Sequence, residues 1–252
     1  MLKNILFLIF LFLPITSQVM VAQTFGFGCL GFVGGYGGFV YQNYNPAGLN
    51  EYIKDFNRRE FVNTPVNEFS NSLGFRVGLN FFRATFDNGI ILTAKGFYQY
   101  IDKKNKGSVG IGQGADNYSL DLDNRNWSLG LDVGWEFTKV ISWKILDGSL
   151  NFNNVTLTET TDLIGEPTNV NKYKSDSGVL GYSIGTGIIV AIVKDYISLE
   201  GLAGYTYLQI DDVYNNNESP SSFLEKNNLT SKFIDSGGFT AVVQINVGFP
   251  LL

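Results

Sequence analysis

The sequence predicts an all-β chain folded as an antiparallel up-and-down barrel of eight strands that cross a membrane. Three observations predict it. Segment 127–137, WSLGLDVGWEF, alternates strictly: Trp127, Leu129, Leu131, Val133, Trp135 and Phe137 share one face, and Ser128, Gly130, Asp132, Gly134 and Glu136 share the other. An apolar face ringed by aromatics, backed by a small or charged face, is what a strand shows with lipid outside and a polar lumen inside. Segments of this kind recur along the chain behind an apolar N-terminus, and the connections between them alternate short and long.

Composition agrees with long strands. The chain has 252 residues, enough for one domain, with 29 Gly, 21 Phe and 13 Tyr but only 6 Pro. Net charge is −5, a mild acidity that gives no footprint for nucleic acid. Residues 1–22 read as a signal peptide: Lys3 supplies the positive start, residues 5–13 the apolar run, and Ala22 the cleavage site before Gln23. The barrel is then expected over 23–252. Beyond residue 22 no apolar run is long enough for a membrane-spanning helix. Cys29 is the only cysteine, so no internal disulfide forms. It reads better as a small strand residue than as a lipidated one, because a lipidated Cys directly follows the apolar run.

The elements follow in order. The first strand covers 24–41, with Phe25, Phe27, Val33 and Phe39 on one parity. The second covers 72–86, with Leu73, Phe75, Val77, Leu79 and Phe81 outward and Arg76 and Asn80 inward. Asp87-Asn88-Gly89 is a tight hairpin turn. The third, 90–101, sets Leu92, Ala94, Gly96 and Tyr98 outward and Lys95 inward, and the fourth is the 127–137 segment. The fifth, 143–158, is the least regular, and its parity is read as switching at a bulge near Asn153-Asn154. The sixth, 178–193, sends Leu180, Tyr182, Ile184, Ile188, Val190 and Ile192 outward. The seventh, 196–210, opposes Glu200 to Leu199, Ala203, Tyr205 and Tyr207. The eighth, 238–249, carries Phe239, Ala241, Val243, Ile245, Val247 and Phe249 on one face.

Short turns join strands two to three, four to five and six to seven. Long, polar, Asn-rich loops fill 42–71, 102–126, 159–177 and 211–237. Membrane barrels segregate short periplasmic turns from longer external loops in this way, which places all four loops outside. Within the first loop, Leu49, Tyr52, Ile53 and Phe56 form an apolar stripe at helical spacing over 49–59. That helix either packs on the barrel mouth or serves as a lid for a ligand or partner.

On these strand patterns and loop lengths the chain resembles the small eight-stranded outer-membrane barrels, the group of OmpX and the OmpA transmembrane domain. The segment Val243-Gln244-Ile245-Asn246-Val247-Gly248-Phe249 is similar to the C-terminal assembly signal of that family, although here Pro250-Leu251-Leu252 follow the aromatic. Gln23 and the Asn-rich loops resemble barrels of the Bacteroidota. The resemblance implies residence in the outer membrane of a Gram-negative bacterium. It implies contact with outer-membrane lipid and lipopolysaccharide, recognition by the barrel insertion machinery, and a loop partner it does not name. The family holds adhesion proteins, stress proteins and a few enzymes, so fold leaves function open.

The chain contains no His. The lipid-modifying enzymes and proteases that the resemblance brings to mind use a His as base, so no catalytic residue is assigned and no enzyme is expected. No cofactor is expected either. Asp211-Asp212 and Asp121/Asp123 lack EF-hand spacing and read as solvated loop charge, so no metal site is assigned. The best-defined constellation is the inward charge of Arg76, Lys95, Asp132, Glu136, Asp147 and Glu200. It reads as an ion-pair plug of a narrow lumen, with a gated ion path as the competing reading. Trp127, Trp135, Trp143, Tyr98, Tyr182 and Tyr207 fall near strand ends and read as membrane-interface anchors. The expected role is structural or surface-interacting through the external loops; the alternative is a small porin-like or lipid-binding transport barrel.

Overall fold

The computed structural model describes residues 34–110, 116–194, 196–215 and 221–248. The signal segment 1–22, Cys29, the first part of the first strand, Asp195 and residues 249–252 lie outside the described residues. The described chain runs β1 (Gly34–Asn43), α1 (Ala47–Asn57), β2 (Val62–Thr64), β3 (Asn71–Thr85), β4 (Ile90–Val109), β5 (Asp116–Glu136), β6 (Ile141–Asp162), β7 (Asn169–Lys174), β8 (Val179–Val193), β9 (Ile197–Tyr207), β10 (Tyr214–Asn215), β11 (Ser221–Ser222), α2 (Phe223–Lys226) and β12 (Gly238–Gly248).

Eight of these strands close a barrel in the order β1, β3, β4, β5, β6, β8, β9, β12. The last strand returns to the first through pairs such as Phe39 with Val243. Every pairing is antiparallel, so closure leaves the barrel no free edge in the hydrocarbon. The side-chain period of two then sorts each strand into a lipid face and a lumen face. On β5 the outward Trp127, Leu129 and Leu131 are exposed, while the inward Ser128 and Asp132 are buried.

Two aromatic girdles bound the apolar band. At the short-turn end Trp135 pairs across strands with Trp143, and Phe137 stacks on Trp143. At the other end Tyr98 sits beside Trp127 and Tyr182 stacks on Tyr207. Trp127 and Trp135 are eight residues apart, roughly 27 Å along the strand and about 20 Å once the strand is tilted. That span matches the outward apolar band of a membrane barrel.

The barrel ladders shift register on β3, on β6 and at Ala191–Val193 of β8, and the first two shifts set which charged side chains enter the lumen. On β3 the register shifts between Asn80 and Phe82, so Phe81 and Phe82 both face outward and Arg83 turns in, opposite Thr93. On β6, Val133 pairs with Leu146 but Gly134 pairs with Lys144. Ile145 and Leu146 are therefore both exposed, and Lys144 and Asp147 both point inward. The expected switch at Asn153-Asn154 does not occur: Asn151, Asn153, Val155 and Leu157 keep one buried parity. What changes there is the chemistry of the inward side chains, from amide to apolar.

That change marks the second half of the molecule. The segments read as long loops are mostly folded. Strands β4, β5 and β6 continue past the upper girdle without interruption; β2 adds to β4, and β7, β10 and β11 extend the sheet beyond β6. Their inward residues, among them Leu120, Leu122, Val155 and Leu157, form one core with α1 and α2. The expected helix appears as α1, and its stripe of Leu49, Tyr52, Ile53 and Phe56 is buried in that core. Two asparagines fasten it. Asn50 exchanges two 2.8 Å hydrogen bonds with the backbone of Phe69, and Asn57 does the same with Val66 at 2.8 and 2.9 Å. Each amide thus pairs a strand-like backbone that has no neighbouring strand there.

Candidate functional site

The lumen is layered, and the layers can be read down single strands. From the short-turn end, the inward residues of β6 are Lys144, Asp147, Ser149, Asn151, Asn153, Val155 and Leu157; those of β5 include Asp132, Ser128, Asn126, Asn124, Leu122 and Leu120. Charge gives way to hydroxyl and amide, and these give way to hydrocarbon.

The charged layer is a compact network. Lys95 contacts Asp147 and lies 3.5 Å from Asp132. Lys144 lies 3.2 Å from both Asp132 and Asp147 and 2.5 Å from Glu200. The second oxygen of Glu200 accepts from Gln244 and Asn246, both at 3.1 Å. Two ammonium groups therefore face three carboxylates, with amide donors filling the remaining valence. Such a network removes the cost of burying each charge alone.

Arg76 lies in the lumen but outside this network. Its guanidinium donates twice to Gln99 Oε1, at 2.7 and 3.1 Å, and lies 4.1 Å above the ring of Phe97. Glu136 departs from the expected network: it has inward parity but lies exposed at the end of β5, lining the mouth of the lumen outside the buried cluster. Lys144 takes the central place that sequence reasoning left empty, and the bulge at Ile145-Leu146 is what turns it inward.

Above the charges runs a hydroxyl and amide chain. Ser128 donates to Asn151 at 2.8 Å, Asn151 to Ser183 at 2.7 Å, and Ser183, Thr206 and Thr240 follow at 2.9 and 2.8 Å. Above that chain lies the apolar core beneath α1.

Below the charges the lumen opens. A cavity of about 50 Å³ is walled by Tyr36, Lys144, Glu200 and Arg83, and a larger one of about 340 Å³ lies at the mouth. The two share Asn80, Arg83, Ser142, Ile189, Ser198 and Asn246 as lining. Glu136, Lys139 and Lys194 line the larger cavity. The tip of the Tyr36 ring packs against Gly78, where an added Cβ would sit 2.4 Å from its Cζ. Its hydroxyl is buried with no hydrogen-bond partner.

The cap has its own polar cluster. Tyr52 and Tyr118 both donate to Glu159 Oε1, at 3.0 and 2.7 Å. Burial, and then the charge of Glu159, push both hydroxyls well above the usual phenol range. Burial likewise lifts Tyr44 to about 12. Lys226 donates to Tyr173 at 3.0 Å, and that bond raises the ammonium's affinity for its proton. Burial raises Asp121 and Asp123 on the outer face of the β4–β5 hairpin, against the opposing pull of Lys104 and Arg125. Among the described residues no group of three or more His, Cys, Asp or Glu is arranged to hold a metal ion.

No family model matches the chain, and no curated protein sequence does. The solved structures to which the chain is similar include the following three. The first is Ail, the attachment invasion locus protein of Yersinia pestis, at 12% identity and a TM-score of 0.39, covering 86% of this chain and 97% of that one. The second is Neisserial surface protein A, NspA, at 12% identity and 0.40, covering 86% and 97%. The third is the outer membrane protease OmpT from Escherichia coli, at 10% identity and 0.40, covering 86% and 94%.

Proposed function

We propose that the chain is a non-catalytic surface protein of a Gram-negative outer membrane, acting through its folded cap. The observation that carries this reading is the layered lumen. A continuous apolar core seals the barrel at the cap end, while the cap presents a built surface of sheet and helix. A sealed barrel of this size serves as a pedestal better than as a channel.

The two ends support an orientation. Short turns such as 86–90 lie at one end and the cap at the other, the asymmetry that puts short turns in the periplasm and long segments outside. On this reading outer-membrane lipid and lipopolysaccharide surround the band, the insertion machinery receives the last strand, and the unnamed partner meets the cap. Catalysis is not proposed. The chain has no His, and the buried amines Lys95 and Lys144 are held by carboxylates, so neither is free to serve as a base.

Two experiments test the reading. Fractionation of the native cells, with boiled and unboiled gels, should recover a heat-shifting band in the outer membrane; a soluble band with no shift overturns the location. Planar-bilayer recording of the purified protein should give no discrete conductance. Stable channel events would restore the transport alternative.

A further inference from the structure

We propose that the vestibule at the short-turn end binds a small oxyanion of the phosphate class. The inference goes beyond the surface role, because it concerns the opposite end of the barrel. It begins with which charges are spent. Lys95 and Lys144 are engaged by Asp132, Asp147 and Glu200, and Glu200 is further held by Gln244 and Asn246. Two ammoniums against three carboxylates leave the floor one net negative charge, and Asp132 and Glu200 line the inner cavity, so an anion there is held by the cationic groups nearer the mouth.

The unspent groups are donors. Arg83 borders both cavities and makes no ion pair with any described carboxylate. The bulge at Phe81-Phe82 turns it inward, whereas uninterrupted alternation would turn it to lipid. Tyr36 is 7% exposed and lines the inner cavity, and its buried hydroxyl, packed beside Gly78, has no hydrogen-bond partner. Leaving such a hydroxyl unpaired costs stability, which an acceptor within its reach would recover. Lys139 and Lys194 stand on the rim against the single described carboxylate there, Glu136.

A guanidinium fork, a buried hydroxyl and two flanking ammoniums suit a ligand with several acceptor oxygens around one centre. The inner cavity of about 50 Å³ takes a group no larger than a phosphate, and the outer 340 Å³ accommodates whatever that phosphate is attached to.

The test is calorimetric titration of the full chain, folded in detergent micelles, with inorganic phosphate and with glycerol 3-phosphate. Chloride at matched ionic strength is the control. Micelles expose both ends, so the outcome does not depend on the orientation proposed above. Saturable binding with a Kd of order 1 mM is expected. Arg83→Ala and Arg83→Gln should each weaken it about ten-fold, Tyr36→Phe about three-fold, and Lys54→Ala on the cap not at all. Each variant is first checked for the heat-dependent gel shift of a folded barrel. Saturation by both ligands supports a free phosphate; saturation by glycerol 3-phosphate alone supports a lipid headgroup. No saturable heat from a folded protein overturns the site. An Arg83 effect without a Tyr36 effect also overturns it, because the ion would then sit at the rim and not in the inner cavity.

Discussion

Lys144 on β6 and Glu200 on β9 meet 2.5 Å apart although β8 lies between their strands, so this pair bridges the lumen instead of following the ladder. Removing one partner strands a buried charge. Lys144→Met should lower the unfolding free energy by about 3–5 kcal/mol, read as a shifted urea midpoint in detergent. Adding Glu200→Leu should restore most of that loss. A double variant as unstable as the single one would show that packing, and not charge, is at stake.

The lipid face makes a second expectation. Leu131 lies between the girdles and faces outward, and Glu136 lies at the strand's end. Leu131→Arg should destabilise folding into bilayers by about 2–4 kcal/mol. Glu136→Arg should stay within about 0.5 kcal/mol. Equal effects at both positions would contradict the assigned band.

The asparagine clamps should hold the cap alone. Asn50→Ala and Asn57→Ala each leave two backbone groups of the returning chain unpaired, at about 1–3 kcal/mol apiece. Limited proteolysis should then cut within 58–70 while the heat-dependent gel shift persists. Loss of the shift would mean that cap and barrel unfold as one unit.

Alkali should loosen the cap. Tyr44, Tyr52 and Tyr118 carry folded pKa values raised above their unfolded value, chiefly by burial. Their neutral forms are favoured by the fold, so this contribution is complete below about pH 10 and is lost as pH rises through the folded values. Tyrosinate absorbance should show these three ionising late and together with the exposure of cap cleavage sites. Early, independent titration would place them in solvent.

Strand parity was legible wherever the alternation ran unbroken, as along Trp127–Trp135, because a period of two admits one lipid face. Lys144 and Arg83 escaped for a shared reason. Each follows or precedes an apolar doublet, Ile145-Leu146 after Lys144 and Phe81-Phe82 before Arg83, and in both places two successive residues face outward. An apolar doublet between polar residues in a membrane strand is the signal that was available. The cap was hidden differently. Segment 102–126 reads as a polar loop because Asp121, Asp123 and Arg125 dominate it, yet Tyr118, Leu120 and Leu122 alternate with polar neighbours at strand period. The ion-pair geometry was beyond reach, since it depends on which strands stand opposite one another.

Strands β4, β5 and β6 pass from hydrocarbon into water with no hinge between the lipid band and the cap. A tug on the cap therefore does not bend a linker. It loads long antiparallel ladders along their own axes, in shear, where many hydrogen bonds resist at once and none can be peeled singly. The barrel is in that sense an anchor bolt whose head and shank are one piece, and any force on the cap passes undiminished into the barrel wall.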